Sequence, residues 1–89
     1  MRAIVTVIGE DRVGIIANVC TLLAECDVNI LDISQTVLQE YLTMVMLVDA
    51  SGCSMPFSVL TQSLKTRGEQ QALAIRIQRE DIFEAMHRI

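Results

Sequence analysis

The chain opens with a short β-branched run and then changes to a helical pattern of apolar positions. Residues 3–8, AIVTVI, predict a first strand that ends at Gly9. From Gly14 onward the apolar positions take the spacing of an amphipathic helix. These positions are Ile15, Val19, Leu22, Leu23 and Cys26. Asp27 breaks the pattern, so the first helix is expected to end there.

Three later segments alternate apolar and polar residues, which is the pattern of strands. Residues 28–39 and 40–50 predict the second and third strands, with a tight turn near Gln39 and Glu40. Residues 70–78, QQALAIRIQ, predict the fourth strand.

Two further helices are predicted around the fourth strand. Pro56 suits the first turn of a second helix, and Gly68 suits the left-handed residue at its end. Asp81 and Glu84 then have the spacing of a capping box, which predicts a short third helix at the C-terminus.

This order, βαββαβ plus a terminal helix, predicts an α+β fold of the ferredoxin-like type, with two helices on one face of an antiparallel sheet. The first and third strands are apolar on both faces, whereas the second and fourth are apolar mainly on one. In the second strand the shared apolar face is formed by Leu31, Ile33 and Val37. Because strands with two apolar faces belong in the centre of a sheet, the predicted strand order is 4-1-3-2. Residues 1–89 are expected to form a single domain.

The predicted sheet leaves one apolar face without a covering helix. The first strand carries Ile4 and Ile8 on one side and Val5 and Val7 on the other, and the two helices cover only one side of the sheet. A patch of this kind is unusual in a monomer. Either the terminal helix or a second subunit must cover it, and the second strand also presents an edge to its own copy. We therefore expect a homodimer or a higher homo-oligomer.

Composition excludes several classes of function. The net charge is −4 and only one Tyr and two Phe are present, so direct binding of nucleic acid is not expected. No apolar run reaches the length of a membrane span and no leader precedes the first strand, so a cytoplasmic protein is expected. The three cysteines form no C-x-x-C pair, which favours buried reduced thiols over a metal site. No cofactor motif and no nucleophile–base pair is visible, so the chain is not expected to be an enzyme.

Other occupants of this fold can be tested against the residues. RNA-recognition domains stack bases on aromatic residues of the central strands, where this chain carries Val, Leu and Met. Metal-carrying members have paired cysteines after the first strand, and the loop GEDRVG has none. Acylphosphatase-like hydrolases use a loop Arg and an Asn, so Arg12 and Asn29 keep that alternative open. The loop lacks the glycine and valine pattern of those enzymes.

The stretch GEDRVGIIANVCTLLAECDVNILDISQT resembles the ACT domain family, small regulatory modules that bind amino acids. The family has a D/N-R-x-G-[IV]-[IVL] turn at the start of the first helix and an Asn-Ile at the start of the second strand. The turn is present at residues 11–16 and the Asn-Ile at Asn29 and Ile30. The likeness extends over nearly the whole chain and is strongest to short stand-alone members, relatives of the repeats in the glycine cleavage system repressor.

The resemblance implies an amino-acid site at a subunit interface, between the first helix and the second strand. The candidate ligand-binding residues are Asp11, Arg12, Val13, Gly14, Ile15, Asn29 and Ile30. Helix-start N–H groups near Gly14 attract a carboxylate, and Asp11 suits an ammonium group. Many amino-acid-binding members carry His where this chain has Gly9, and Asn where it has Asp11, while Asn29 matches.

Structural readings of the same residues remain open. Gly14 suits tight packing of the helix on the sheet, and Asp11 suits a helix cap. Asn29 suits a helix-to-strand junction, and Arg12 suits an ion pair.

The function expected from the sequence is a small regulatory module that senses an amino acid at a homodimer interface. With no effector domain in the sequence, the signal is expected to pass to a separate protein partner. The alternatives are a structural interaction module without a ligand and the acylphosphatase-like hydrolase.

Overall fold

The computed structural model describes residues 1–82 and contains six helices and strands in the predicted order. These elements are β1 (Arg2–Glu10), α1 (Ile15–Glu25), β2 (Asn29–Leu38), β3 (Tyr41–Asp49), α2 (Phe57–Glu69) and β4 (Ala74–Arg79). Residues 80–82 begin a further helix, and the amide of Ile82 donates to Asp81 Oδ1. Glu84 and the rest of the predicted terminal helix lie outside the described residues.

The four strands form one antiparallel sheet in the order β2-β3-β1-β4. This confirms both the predicted order and the ferredoxin-like α+β fold. The buried core lies between the sheet and the two helices. Its largest fully buried side chains are Ile15, Leu23, Met44, Met46, Leu60 and Leu64. The amphipathic pattern of the first helix therefore identified its buried face correctly.

The face of the second strand was predicted only in part. Ile30 pairs with Val48 and Asp32 pairs with Leu47, so Leu31 is an extra residue in a β-bulge. A bulge interrupts the alternation of side chains. Ile30 and Ile33 consequently both lie opposite buried residues of β3, Val48 and Met46, although strict alternation would place them on different faces.

The end of α2 differs from the prediction as well. Gly68 is helical and buried, and the positive φ of 58° occurs at Ala72 instead. A Cβ on Gly68 would lie 2.7 Å from Ile75 Cγ1 and 3.0 Å from the Leu73 carbonyl oxygen. Gly68 is therefore required for close packing of the helix on β4 and not as a left-handed stop. The fourth strand was predicted from residue 70, but β4 begins only at Ala74. Pro56 is the N-cap of α2, one residue before its first turn.

The sheet face away from α1 and α2 carries exposed apolar side chains, as the sequence predicted. Ile8 is 49% exposed and Val45 is 37% exposed, and no element of the described chain covers them. Within residues 1–82, neither helix combines the length and hydrophobicity that crossing a membrane requires.

Candidate functional site

The turn between β1 and α1 depends on the backbone conformation of Gly14. Gly14 has φ 90° and ψ −2°, and its carbonyl accepts the first helical hydrogen bond, from the Asn18 amide at 2.9 Å. A Cβ on Gly14 would meet nothing within 4 Å. Glycine is therefore needed here for its left-handed conformation, and tight packing of α1 on the sheet is not the reason.

The N-terminal end of α1 has no internal partner. No side chain caps it and its first turn has no acidic residue. The amides of Ile15, Ile16 and Ala17 have no acceptor within residues 1–82. These three N–H groups and the helix dipole make this end electropositive.

Asp11 fixes the turn through its backbone and leaves its carboxylate free. Its amide donates to the Glu40 carbonyl oxygen at 2.7 Å, which joins the turn to the β2–β3 hairpin. No hydrogen bond or ion pair involves its side chain in the part of the chain that is described. Asp11 is thus not a helix cap.

A cleft of about 570 Å³ lies between this turn, the first turn of α1 and the end of β2. It is lined by Asp11, Arg12, Gly14, Ile15, Ile16, Ala17, Gln35, Val37 and Leu42. The turn supplies its charged groups, whereas the helix and the strands supply mainly aliphatic ones. We call it the α1–β2 cleft.

The guanidinium of Arg12 is held by a main-chain carbonyl. It donates to the carbonyl oxygen of Gln71, in the turn between α2 and β4. Arg12 also lines a second, more polar cleft of about 430 Å³ between α1 and α2, where Arg67 pairs with Glu25. Arg12 has no acidic partner among residues 1–82, so the ion-pair reading does not describe it within one chain.

The predicted site residues fall into two groups that lie far apart in one chain. Asp11 to Ile15 lie at the end of the sheet where β2 finishes, whereas Asn29 and Ile30 lie where β2 starts. Eight residues separate Asn29 from Val37 along the strand, which is about 26 Å at the usual rise per residue. By the same distance, Arg12 and Asn29 of one chain do not form a hydrolase site.

Within each group the side chains differ in exposure. Val13 is fully exposed, and Ile15 is buried in the core. Ile30 packs against that core. Asn29 precedes it in the strand and therefore lies on the opposite face of the sheet. Asn29 pairs with Asp49 of β3.

Several lining residues of the α1–β2 cleft were not predicted from the sequence. Gln35, Val37 and Leu42 line it because β1 and β2 run in the same direction in this sheet and finish at the same end. The predicted strand order already contained this signal. The resemblance instead drew attention to Asn29, at the other end.

The sequence predicted buried thiols, and this describes one of the three cysteines. Cys20, Cys26 and Cys53 are free, with Cys26 buried and the other two half-buried. Burial raises the pKa of the Cys26 thiol, which keeps it protonated at neutral pH. No group of three or more potential metal ligands occurs among the described residues.

A model of the ACT domain family matches residues 2–78. The chain belongs to the ACT domain family. Members of this family are generally regulatory, ligand-binding modules. This ACT domain is 51% identical over 89 residues to a UPF0237 protein of Clostridium acetobutylicum, and all of both chains is covered. It is 47% identical over 88 residues to a UPF0237 protein of Methanocaldococcus jannaschii, covering 99% of this chain and 98% of the relative.

A solved structure gives the same assignment, and a second one shares the fold. An ACT domain protein from Streptococcus pneumoniae is 45% identical, with a TM-score of 0.83 and 98% of each chain covered. A structure assigned to the glycine cleavage system transcriptional repressors has a TM-score of 0.70 and 24% identity, covering 86% of this ACT domain and 44% of that chain. At that identity the likeness concerns the fold alone.

Proposed function

We propose that this ACT domain is a sensor that binds an amino acid in the α1–β2 cleft, at the interface of a homodimer. The observation that carries the proposal is the cleft itself. It brings the free amides of the first turn of α1 together with the free carboxylate of Asp11. An α-carboxylate suits the first and an α-ammonium suits the second.

A two-fold axis accounts for the two separated groups of site residues. When two β2 edges pair antiparallel about such an axis, the start of one strand lies beside the end of the other. Asn29 and Ile30 of a second copy then approach the turn formed by residues 11–15. Each dimer contains two such sites, and each site uses both chains.

The two edges of the sheet differ in a way that supports β2 as the interface. β4 is six residues long and carries Arg76 and Arg79, the short and charged form of a protected edge. β2 is ten residues long and exposes large apolar side chains along its length. These are Leu31, Ile33, Val37 and Leu38. A long apolar edge of this kind favours pairing with another strand, here the β2 of a second copy.

Signalling in this proposal follows from linkage. A ligand held by both chains stabilises the dimer geometry that binds it, relative to geometries that do not. The effector is a separate protein that distinguishes the two geometries.

The experiment is calorimetric titration of the dimer with each common amino acid. At least one is expected to bind, and both Asn29→Ala and Ile16→Arg are expected to abolish binding. Asn29→Ala alters the second-copy group, whereas Ile16→Arg fills the cleft from an exposed helix position. Mixing the two variants is the decisive step. Random exchange of subunits restores one intact site in each heterodimer, or about a quarter of all sites.

The other outcomes are equally informative. No binding across the panel, with the dimer intact in sedimentation, supports a structural module without a ligand. Binding by Asn29→Ala alone contradicts a site shared between chains, and binding by Ile16→Arg alone contradicts a ligand in the α1–β2 cleft. Turnover of an acyl phosphate that is lost in Arg12→Ala supports the hydrolase alternative.

A further inference from the structure

We propose that the α1–β2 cleft selects amino acids with aliphatic side chains. This inference rests on the proposed function, since it concerns the ligand of the same site. It goes further by naming the ligand class from the chemistry of the cleft wall.

The wall beyond the turn is aliphatic. Ile16 is 42% exposed and Val37 is 52% exposed, and both border the cleft above the buried Leu42. Ile15 and Ala17 complete the apolar surface. These positions belong to three elements, the first turn of α1, the end of β2 and the start of β3. The apolar surface is therefore formed by three elements together and is not a single exposed residue.

The charged groups of the cleft all lie at its turn end. Asp11 is free, and Arg12 donates to the Gln71 carbonyl oxygen. A zwitterion that uses the free helix amides and Asp11 therefore directs its side chain away from the turn, towards Ile16 and Val37. Among the described residues that line the cleft, Gln35 supplies the one neutral polar side chain.

This arrangement favours an aliphatic ligand for two reasons. Each methylene removed from water against Ile16 and Val37 strengthens binding about fourfold. A hydroxyl, amide or carboxylate in the same place loses water and finds few partners in exchange. Valine and leucine are thus expected to bind more tightly than glycine and alanine, and more tightly than their polar isosteres.

The test is a calorimetric series on the wild-type dimer with glycine, alanine, valine and leucine, together with threonine and asparagine. Threonine matches valine in shape, and asparagine matches leucine approximately. Affinity is expected to rise along the aliphatic series, with valine roughly tenfold tighter than threonine.

A matched pair of variants assigns the preference to the cleft. Val37→Thr is expected to reduce the preference for valine over threonine severalfold. Val59→Thr makes the same change on α2, at a residue that is 48% exposed and outside the cleft, and is expected to leave both affinities unchanged.

Each contrary result separates the two proposals. If glycine, threonine or asparagine binds as tightly as valine and leucine, the aliphatic preference is overturned while the amino-acid sensor stands. An unchanged preference in Val37→Thr overturns it in the same way. If none of the common amino acids binds, the sensor and the preference both fail.

Discussion

At the scale of single residues, Gly14 determines how α1 begins. A side chain in its left-handed conformation costs roughly 1–2 kcal/mol, and the open space around it adds no clash. Gly14→Ala is therefore expected to lower the free energy of unfolding by about that amount, and Gly14→Asn by less, because Asn tolerates positive φ. Urea unfolding followed by circular dichroism measures both. An Ala variant as stable as the wild type would contradict the conformational role.

Asp49 gives the domain a pH dependence at acid pH. Its Oδ1 accepts hydrogen bonds from the Ser51 hydroxyl at 2.6 Å and the Ser51 amide at 2.9 Å, and the N-terminal ammonium lies 3.2 Å away. The Ser51 hydroxyl first, then the Ser51 amide and the terminus, lower the pKa of Asp49 from 3.8 to about 2. The folded state therefore holds this proton less tightly than the unfolded state.

The stabilisation by the Asp49 carboxylate is thus complete above its unfolded pKa of 3.8 and is lost as pH falls towards 2. Thermal unfolding of the wild type and Asp49→Asn should show a constant difference in Tm from neutral pH to mildly acid pH. That difference should shrink below pH 4. Ser51→Ala removes the largest cause and should show the same trend more weakly. A difference that does not vary with pH would rule out this source of stability.

Residue-level prediction succeeded where the cause was local. The spacing of the turn motif correctly located Gly14 at the start of α1 and Ile15 in the core. The partner of Arg12 was not predictable in this way. Gln71 is remote in the sequence, and the acceptor is its backbone carbonyl, which every residue type has.

At the scale of elements, the period-two pattern was enough to order the strands. β1 and β3, which are apolar on both faces, lie in the centre of the sheet. β2 and β4, which are apolar mainly on one face, lie at its edges. The bulge at Leu31 could not be predicted from the sequence, because no residue type near it requires a bulge. Gly68 was misread for a related reason. Its neighbours Lys65 and Arg67 are basic, as residues in the last turn of a helix often are. The constraint on Gly68 is instead its close contact with Ile75, on another element.

The candidate site was half predictable from element order. In an order of 4-1-3-2, β1 and β2 run in the same direction, so the turn after β1 lies beside the end of β2. Gln35 and Val37 follow from that reasoning alone. In the proposed site Asn29 comes from a second chain, and that step depends on assembly and not on the fold of one chain.

At the scale of the whole molecule, two unprotected surfaces remain on residues 1–82. One is the sheet face that includes Ile8 and Val45, and the other is the β2 edge. We propose pairing through the edge, because it brings the two groups of predicted site residues together. In the proposed dimer, one assembly step buries apolar surface, pairs the open backbone groups and completes the α1–β2 cleft. Ligand affinity and dimer stability should consequently be linked.

The dimer interface can be tested by a charge placed on the β2 edge. Leu31 and Val59 are both 48% exposed, but Leu31 lies on β2 and Val59 on α2. In sedimentation equilibrium the wild type is expected to show twice the 9.9 kDa of one chain. Leu31→Lys should weaken the dimer by roughly tenfold or more, because each copy loses an apolar contact along the paired edge and places a charge there instead. Val59→Lys should leave it intact. Equal dissociation of both variants, or a wild type that sediments as one chain, would exclude β2 as the interface, and with it the shared ligand site.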